Sequence, residues 1–130
     1  RMSIGGQPRL ATHDGFAVGV VLTVPPYPYP DGYARLSKGL PIFFRDDLTE
    51  ADRANLHYGE VRLDGAQLVT AGQIGYVMVV TGRGATVDEA RLDAYARVRK
   101  VAIPNMRYRT DIGDKVQTEG LPALRRLGWL

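Results

Sequence analysis

At 130 residues the chain fits one domain, which buries roughly two thirds of its extended-chain surface on folding. Apolar residues make up 45% and charged residues 24%, and no run approaches the roughly 20 apolar residues of a membrane-spanning helix, so the composition is that of a soluble protein with no membrane partner. The absence of cysteine excludes disulfides, thiolate zinc sites and thiol nucleophiles and points to the cytoplasm, while a net charge of +3 is too small for a non-specific nucleic-acid binder and leaves anionic small molecules open.

Residues 1–14 are rich in glycine, proline and charge, have no apolar period and read as a linker. Arg1 stands ahead of Met2, which fits either a tag remnant before a natural start or a piece cut from a longer protein. The segment 16-FAVGVVLTV-24 predicts a strand with both faces apolar, as in a buried position. The prolines of 25-PPYPYPDGY-33 remove backbone donors and fix φ, so an extended or turning loop follows. A brief strand is predicted over 39-GLPIFF-44, then a short helix over 49-TEADRANL-56 with Thr49 as its cap and Asp52 at the third helical position. Segments 58–65, 66–70 and 74–82 are separated by Asp-Gly and Ala-Gly and read as a small β-meander. The strongest local signal is 86-TVDEARLDAYARVRKVAI-103, a helix with a Thr86/Glu89 capping box and Val87, Ala90, Ala94, Val98 and Val101 recurring at helical spacing. Its charges agree with the macrodipole, Asp88 and Glu89 at the start and Arg97, Arg99 and Lys100 at the end, and Pro104 stops it. A helical turn is expected from Asp111, and residues 119–130 read as an amphipathic tail.

Several constellations bear on chemistry. Gly82-x-Gly84 lies between a strand and a helix start, where backbone donors can cradle phosphate, but it lacks a third glycine and reads as the tight exit from strand to capped helix. His13 and His57 lie far apart without metal-ligand spacing, and His57 has no evident nucleophile to serve as general base. Asp46, Asp47, Glu50 and Asp52 read as a solvated acidic face offset by Arg45 and Arg53. Tyr27, Tyr29 and Tyr33, followed by Arg35 and Lys38, suit either a site that stacks a ring and holds an anion or a rigid packed lid. In 105-NMRYRTDIG-113, Arg107 and Arg109 alternate around Tyr108, so an extended backbone projects both guanidinium groups to one side, an anion fork beside the helix start at Asp111. The competing reading is a surface ladder paired with acidic neighbours.

The succession of 18-VGVVL-22, Tyr27-Pro28, Gly39-Leu40, 82-GRGATVDEARLDAYARV-98 and 108-YRTDIG-113 resembles the carboxyl-terminal domain of the phosphoribosylamine-glycine ligases (glycinamide ribonucleotide synthetases) of the ATP-grasp superfamily. The resemblance covers about residues 15–118. It implies a β-rich α+β fold, a rudiment single-hybrid motif (small β-barrel or sandwich) with one long helix packed on the sheet. It also implies a parent enzyme of purine biosynthesis that joins phosphoribosylamine to glycine through a glycyl phosphate, using ATP and magnesium held by ATP-grasp domains upstream. This domain would then hold no cofactor, supply no catalytic residue and no metal ligand, and be inactive alone. Arg109, then Arg107, are the implied ligands of the sugar phosphate, with Tyr108, Asp111, Tyr27 and Lys38 as further candidates. The sequence departs from the family pattern where Thr110 replaces a second arginine, where 43-FFRDDLT-49 lacks a histidine and where 72-GQIGY-76 lacks an arginine. Those departures, with the apolar tail, also fit a non-catalytic interaction module on the same scaffold.

Overall fold

The computed structural model describes residues 10–130; of the expected 1–14 linker, residues 1–9 lie outside the described residues. In chain order the elements are β1 (Phe16–Thr23), α1 (Tyr33–Leu36), β2 (Phe43–Phe44), α2 (Glu50–Arg53), β3 (Leu56–Tyr58), β4 (Val61–Asp64), β5 (Gln67–Thr70), β6 (Tyr76–Gly84), α3 (Val87–Val98), β7 (Val101–Ala102), a π-helical turn (Val116–Gly120) and α4 (Leu121–Arg126). The fold is β-rich α+β with one long helix on the main sheet, as the resemblance implies; among the described residues the sheets stay open and close no barrel.

The predicted meander is split: segments 58–65 and 66–70 pair as expected, but 74–82 joins a different sheet, and a third sheet pairs β2 with β7. β6 is the central strand of the largest, antiparallel to β1 from Phe16 opposite Gly84 to Thr23 opposite Tyr76, and antiparallel to β3 on its other edge. β4 and β5 form their own hairpin through Gly65-Ala66, where Gly65 takes a left-handed φ of 60°. The carboxylate of Glu60 explains why β6 returns to β3 instead of continuing beside β5. It accepts the amides of Gln73 (3.0 Å), Ile74 (3.1 Å) and Gly75 (2.8 Å), which folds residues 72–75 back, and the Glu60 amide meets the Tyr76 carbonyl at 2.8 Å. Burial raises the Glu60 pKa, but the backbone donors of Gln73, Gly75, Ile74 and Tyr76 outweigh it and hold the carboxyl below its ordinary value.

β1 is an edge strand. Val18, Val20 and Leu22 enter the core, while Ala17 and Gly19 are exposed and Val21 is half-buried, which corrects the expectation of two buried faces. α3 lays Ala90, Ala94 and Val98 on the sheet, all fully buried. A Cβ on Gly82 would stand 2.2 Å from the Ala94 amide nitrogen, so only glycine lets helix and strand backbones approach this closely. Both capping boxes form: Thr86 Oγ1 accepts the Glu89 amide at 3.1 Å, and Thr49 Oγ1 accepts the Asp52 amide at 3.1 Å. α3 ends at Val98, short of Ile103, because Val101 and Ala102 pair with Phe44 and Phe43 in a second two-stranded sheet. In the expected amphipathic tail, Leu121–Arg126 form α4, and Leu124, Leu127, Trp129 and Leu130 are exposed.

Candidate functional site

After β7 the chain reverses through Pro104 and Asn105, the latter at a left-handed φ of 59°, and Arg107 lands beside the end of β1. There the Thr23 amide donates to the Arg107 carbonyl at 2.9 Å and the Arg107 amide returns a bond to the Thr23 carbonyl at 2.8 Å. The register of β1 slips between Leu22 and Thr23 at this point. The Tyr95 hydroxyl, on α3, donates to the Arg109 carbonyl at 2.6 Å and accepts the Ile112 amide at 3.2 Å, which fixes the segment beyond. Val21, Thr23, Tyr27, Arg107, Tyr108 and Arg109 thereby line one open cavity of about 440 Å³.

Within it the two arginines differ. Arg109 Nε lies 2.9 Å from Asp111 Oδ1, and Arg109 Nη2 lies 2.6 Å from Asp111 Oδ2, a two-pronged exposed ion pair. The hydrogen bond to Asp111 raises the Arg109 pKa, and the same bond lowers that of Asp111. Arg107 makes no side-chain hydrogen bond or ion pair among the described residues. The acidic-neighbour reading therefore holds for Arg109, while Arg107 carries no such ion pair among the described residues. The helical turn expected at Asp111 is displaced: a turn closes from the Asp114 amide to the Asp111 carbonyl at 3.2 Å, and helical residues begin at 114, so Asp111 offers a carboxylate to Arg109 and no helix start.

The tyrosine loop divides. Tyr27 joins the cavity, its ring 6.5 Å from that of Tyr76, and Tyr29 is exposed. Tyr33 is buried in the core with its hydroxyl on the Ala71 carbonyl, and burial raises its pKa. Lys38 is exposed and does not line the cavity, so the structure leaves it apart from the other candidates. Val21 and Thr23 went unrecognised as lining residues. The period of two in β1 carried the signal, since it sets them on the face opposite Val20 and Leu22.

Asp52 is no part of a solvated face. It is 8% exposed, accepts Arg97 Nε at 3.0 Å, Lys100 Nζ at 2.8 Å and the Thr49 amide at 3.0 Å, and its pKa lies far below the aspartate range, chiefly through the Lys100 hydrogen bond. Arg97, also 8% exposed, further binds Asp93 Oδ1 at 3.1 Å and the Thr81 carbonyl. Asp46, Asp47 and Glu50 do stay exposed. His57 Nε2 lies 3.0 Å from Thr81 Oγ1, at the surface.

Gly82-x-Gly84, the paired end of β6 and not a turn, does not fit a nucleotide phosphate. The Arg83 amide donates to Asp93 Oδ2 at 2.9 Å and the Ala85 amide to Glu89 Oε2 at 2.8 Å, so the chain's own carboxylates occupy the donors. Among the described residues no group of three or more His, Asp or Glu side chains stands placed to hold a metal ion.

Comparison with known families matches residues 17–115 to the family described as phosphoribosylglycinamide synthetase, C domain. The phosphoribosylamine-glycine ligase of Mycobacterium tuberculosis (strain H37Rv) is 34% identical over 106 residues, covering 80% of this chain and 22% of that protein. Its counterpart in Rhizobium meliloti is 42% identical over 85 residues, 65% of this chain and 18% of that one. The crystal structure of phosphoribosylamine-glycine ligase from Thermotoga maritima aligns with a TM-score of 0.64 at 33% identity, over 82% of this chain and 24% of that chain. The chain therefore spans between 18% and 24% of the length of these relatives.

Proposed function

The chain belongs to the phosphoribosylglycinamide synthetase C-domain family, and from that premise we propose that it serves as the carboxyl-terminal domain of a phosphoribosylamine-glycine ligase-like enzyme of purine biosynthesis. In that enzyme it helps to bind the sugar phosphate and to close the active site. ATP-grasp domains upstream supply ATP and magnesium, in the cytoplasm. The observation that carries the reading is the Arg107 guanidinium, without a side-chain partner among the described residues, in a cavity shared with Tyr27, Tyr108 and Arg109, inside the matched stretch.

A guanidinium offers a phosphate paired, charge-assisted hydrogen bonds, and a partly apolar cavity strengthens them by limiting water. Arg107 takes the phosphate first, having no ion-pair partner among the described residues to give up. Arg109 adds a second fork once it leaves Asp111, an exchange of one exposed anion for another. Tyr108 and Tyr27 wall the ligand, Asp111 sets the resting position of Arg109, and Lys38 stands outside this arrangement. The reaction itself needs groups from the rest of the enzyme, so the isolated chain is expected not to release phosphate when given ATP, glycine and phosphoribosylamine.

Two measurements test this. Ribose 5-phosphate titrated to millimolar concentration is expected to shift the amide signals of residues 107–113; no shift removes the phosphate role. Phosphate release by the isolated chain above the blank removes the claim of inactivity. A second reading, an interaction module that has left ligase chemistry, is favoured by the exposed Leu124, Leu127, Trp129 and Leu130 beyond the matched stretch. Reading the coding sequence upstream of Arg1 separates the two: an ATP-grasp sequence supports the first, and a stop codon before Met2 the second.

A further inference from the structure

The cavity at Arg107 is more apolar than a bare sugar phosphate requires. Ribose carries hydroxyl groups around its ring and phosphate is served by guanidinium donors, yet the rest of the wall is Val21, Thr23, Tyr27 and Tyr108. Tyr27 and Tyr108 are 38% and 37% exposed, so part of each ring stays open to a ligand. Each is also braced by a second ring, Tyr27 by Tyr76 at 6.5 Å and Tyr108 by Tyr95 at 6.3 Å. Tyr95 is in turn tied at its hydroxyl to the Arg109 carbonyl and the Ile112 amide, and Arg107 is tied at its backbone to Thr23. Walls held in this way lose little freedom when a ligand enters. A cavity of about 440 Å³ with largely apolar walls and two arginines, one of them held by Asp111, has the character of a small-molecule site. Tyrosine faces beside a guanidinium suit a planar π system joined to an anion.

We infer that this cavity takes a ribose phosphate bearing a flat aromatic base, that is, a nucleoside 5′-monophosphate, with its phosphate on Arg107 and its base against Tyr27 and Tyr108. The inference rests on the phosphate reading of the same cavity and adds the ligand's ring to it.

AMP, adenosine and ribose 5-phosphate are titrated in turn into the 130-residue chain, followed at the amides of Thr23, Tyr27 and residues 107–113. AMP is expected to bind about tenfold or more tighter than ribose 5-phosphate, the margin one base–aromatic stack supplies. Tyr27→Leu and, separately, Tyr108→Leu lower AMP binding by a larger factor than ribose 5-phosphate binding, whereas Arg107→Gln weakens both phosphates by a similar factor. Equal affinities for AMP and ribose 5-phosphate overturn the role of the base and leave the phosphate reading standing. Adenosine binding as tightly as AMP, or no binding by any of the three, overturns both. The dispersion of core amide signals checks that each variant is folded, and should one tyrosine variant fail that check, the other still decides.

Discussion

Arg97 is 8% exposed and shares its guanidinium among Asp52, Asp93 and the Thr81 carbonyl, whereas Arg107 is exposed with no side-chain partner among the described residues. A charge count treats the two alike. Their surroundings do not, because a guanidinium taken out of water needs carboxylates and carbonyls to replace its hydration, while one left in water is free to exchange water for a ligand anion. The first arginine therefore locks α3 to α2 and β6, and the second is available for recognition. The difference also places stability and binding in separate residues, so each can be removed without the other.

The largest expected effect breaks the locked side of this comparison. Asp52→Ala leaves Arg97 and Lys100 facing a position that no longer answers their charge, and a loss of about 3 kcal/mol or more is expected. It is read as a lower urea midpoint at unchanged m value. Arg107→Ala, in contrast, is expected to stay within about 0.5 kcal/mol of the parent, as for surface changes generally. Similar losses in the two variants would erase the distinction.

Acid sharpens the same point. Because the folded-state pKa of Asp52 lies below its ordinary 3.8, its contribution is complete above that value and drains away as the pH falls toward the folded pKa. Glu60, held below its ordinary 4.5 by the amides of residues 73–76, acts in the same direction. Denaturation midpoints followed downward from pH 5 should therefore fall. Asp52→Asn should flatten the slope, leaving a remainder that Glu60→Gln removes. A slope unchanged in Asp52→Asn would mean that the buried carboxylate is not what acid titrates.

On the free side, Arg107→Ala should weaken ribose 5-phosphate binding by about tenfold or more, the loss of a charge-assisted hydrogen bond, in an NMR or calorimetric titration. Binding that survives this change intact while Asp52→Ala abolishes it would place the anion elsewhere.

What the sequence disclosed follows the range of each interaction. Thr49 with Asp52 and Thr86 with Glu89 are three residues apart, so their capping boxes were legible from spacing alone. The end of α3 was not, because Val101 and Ala102 answer to Phe44 and Phe43, a pairing no local window contains. Arg97 falls between those cases. It shares the helix face of Ala90 and Ala94, at spacings of seven and three, yet its position near the helix end invited a dipole account that left its burial unseen. In the candidate site, Arg107, Tyr108 and Arg109 were legible as a group, and Tyr27 as a separate one. The Thr23–Arg107 bridge, which no local window contains, brings them together, and the same geometry leaves Lys38 outside.

The smallest expected effect concerns Asp111, and it tests whether Arg109 belongs with the locked arginine or the free one. Its ion pair is two-pronged but exposed at the side chains of both partners, 75% and 52%, and solvent screens such a pair strongly. Asp111→Asn should therefore leave the denaturation midpoint where it was. Its effect belongs to binding: without the carboxylate, the Arg109 fork is free to turn to a phosphate on Arg107, and ribose 5-phosphate affinity should rise by a modest factor. Low salt should widen the gain, since screening falls as the Debye length grows. A clear loss of stability in Asp111→Asn would make Arg109 a second structural arginine. Unchanged affinity at both salt concentrations would leave Arg107 as the phosphate ligand and Arg109 as a side chain spent on its neighbour.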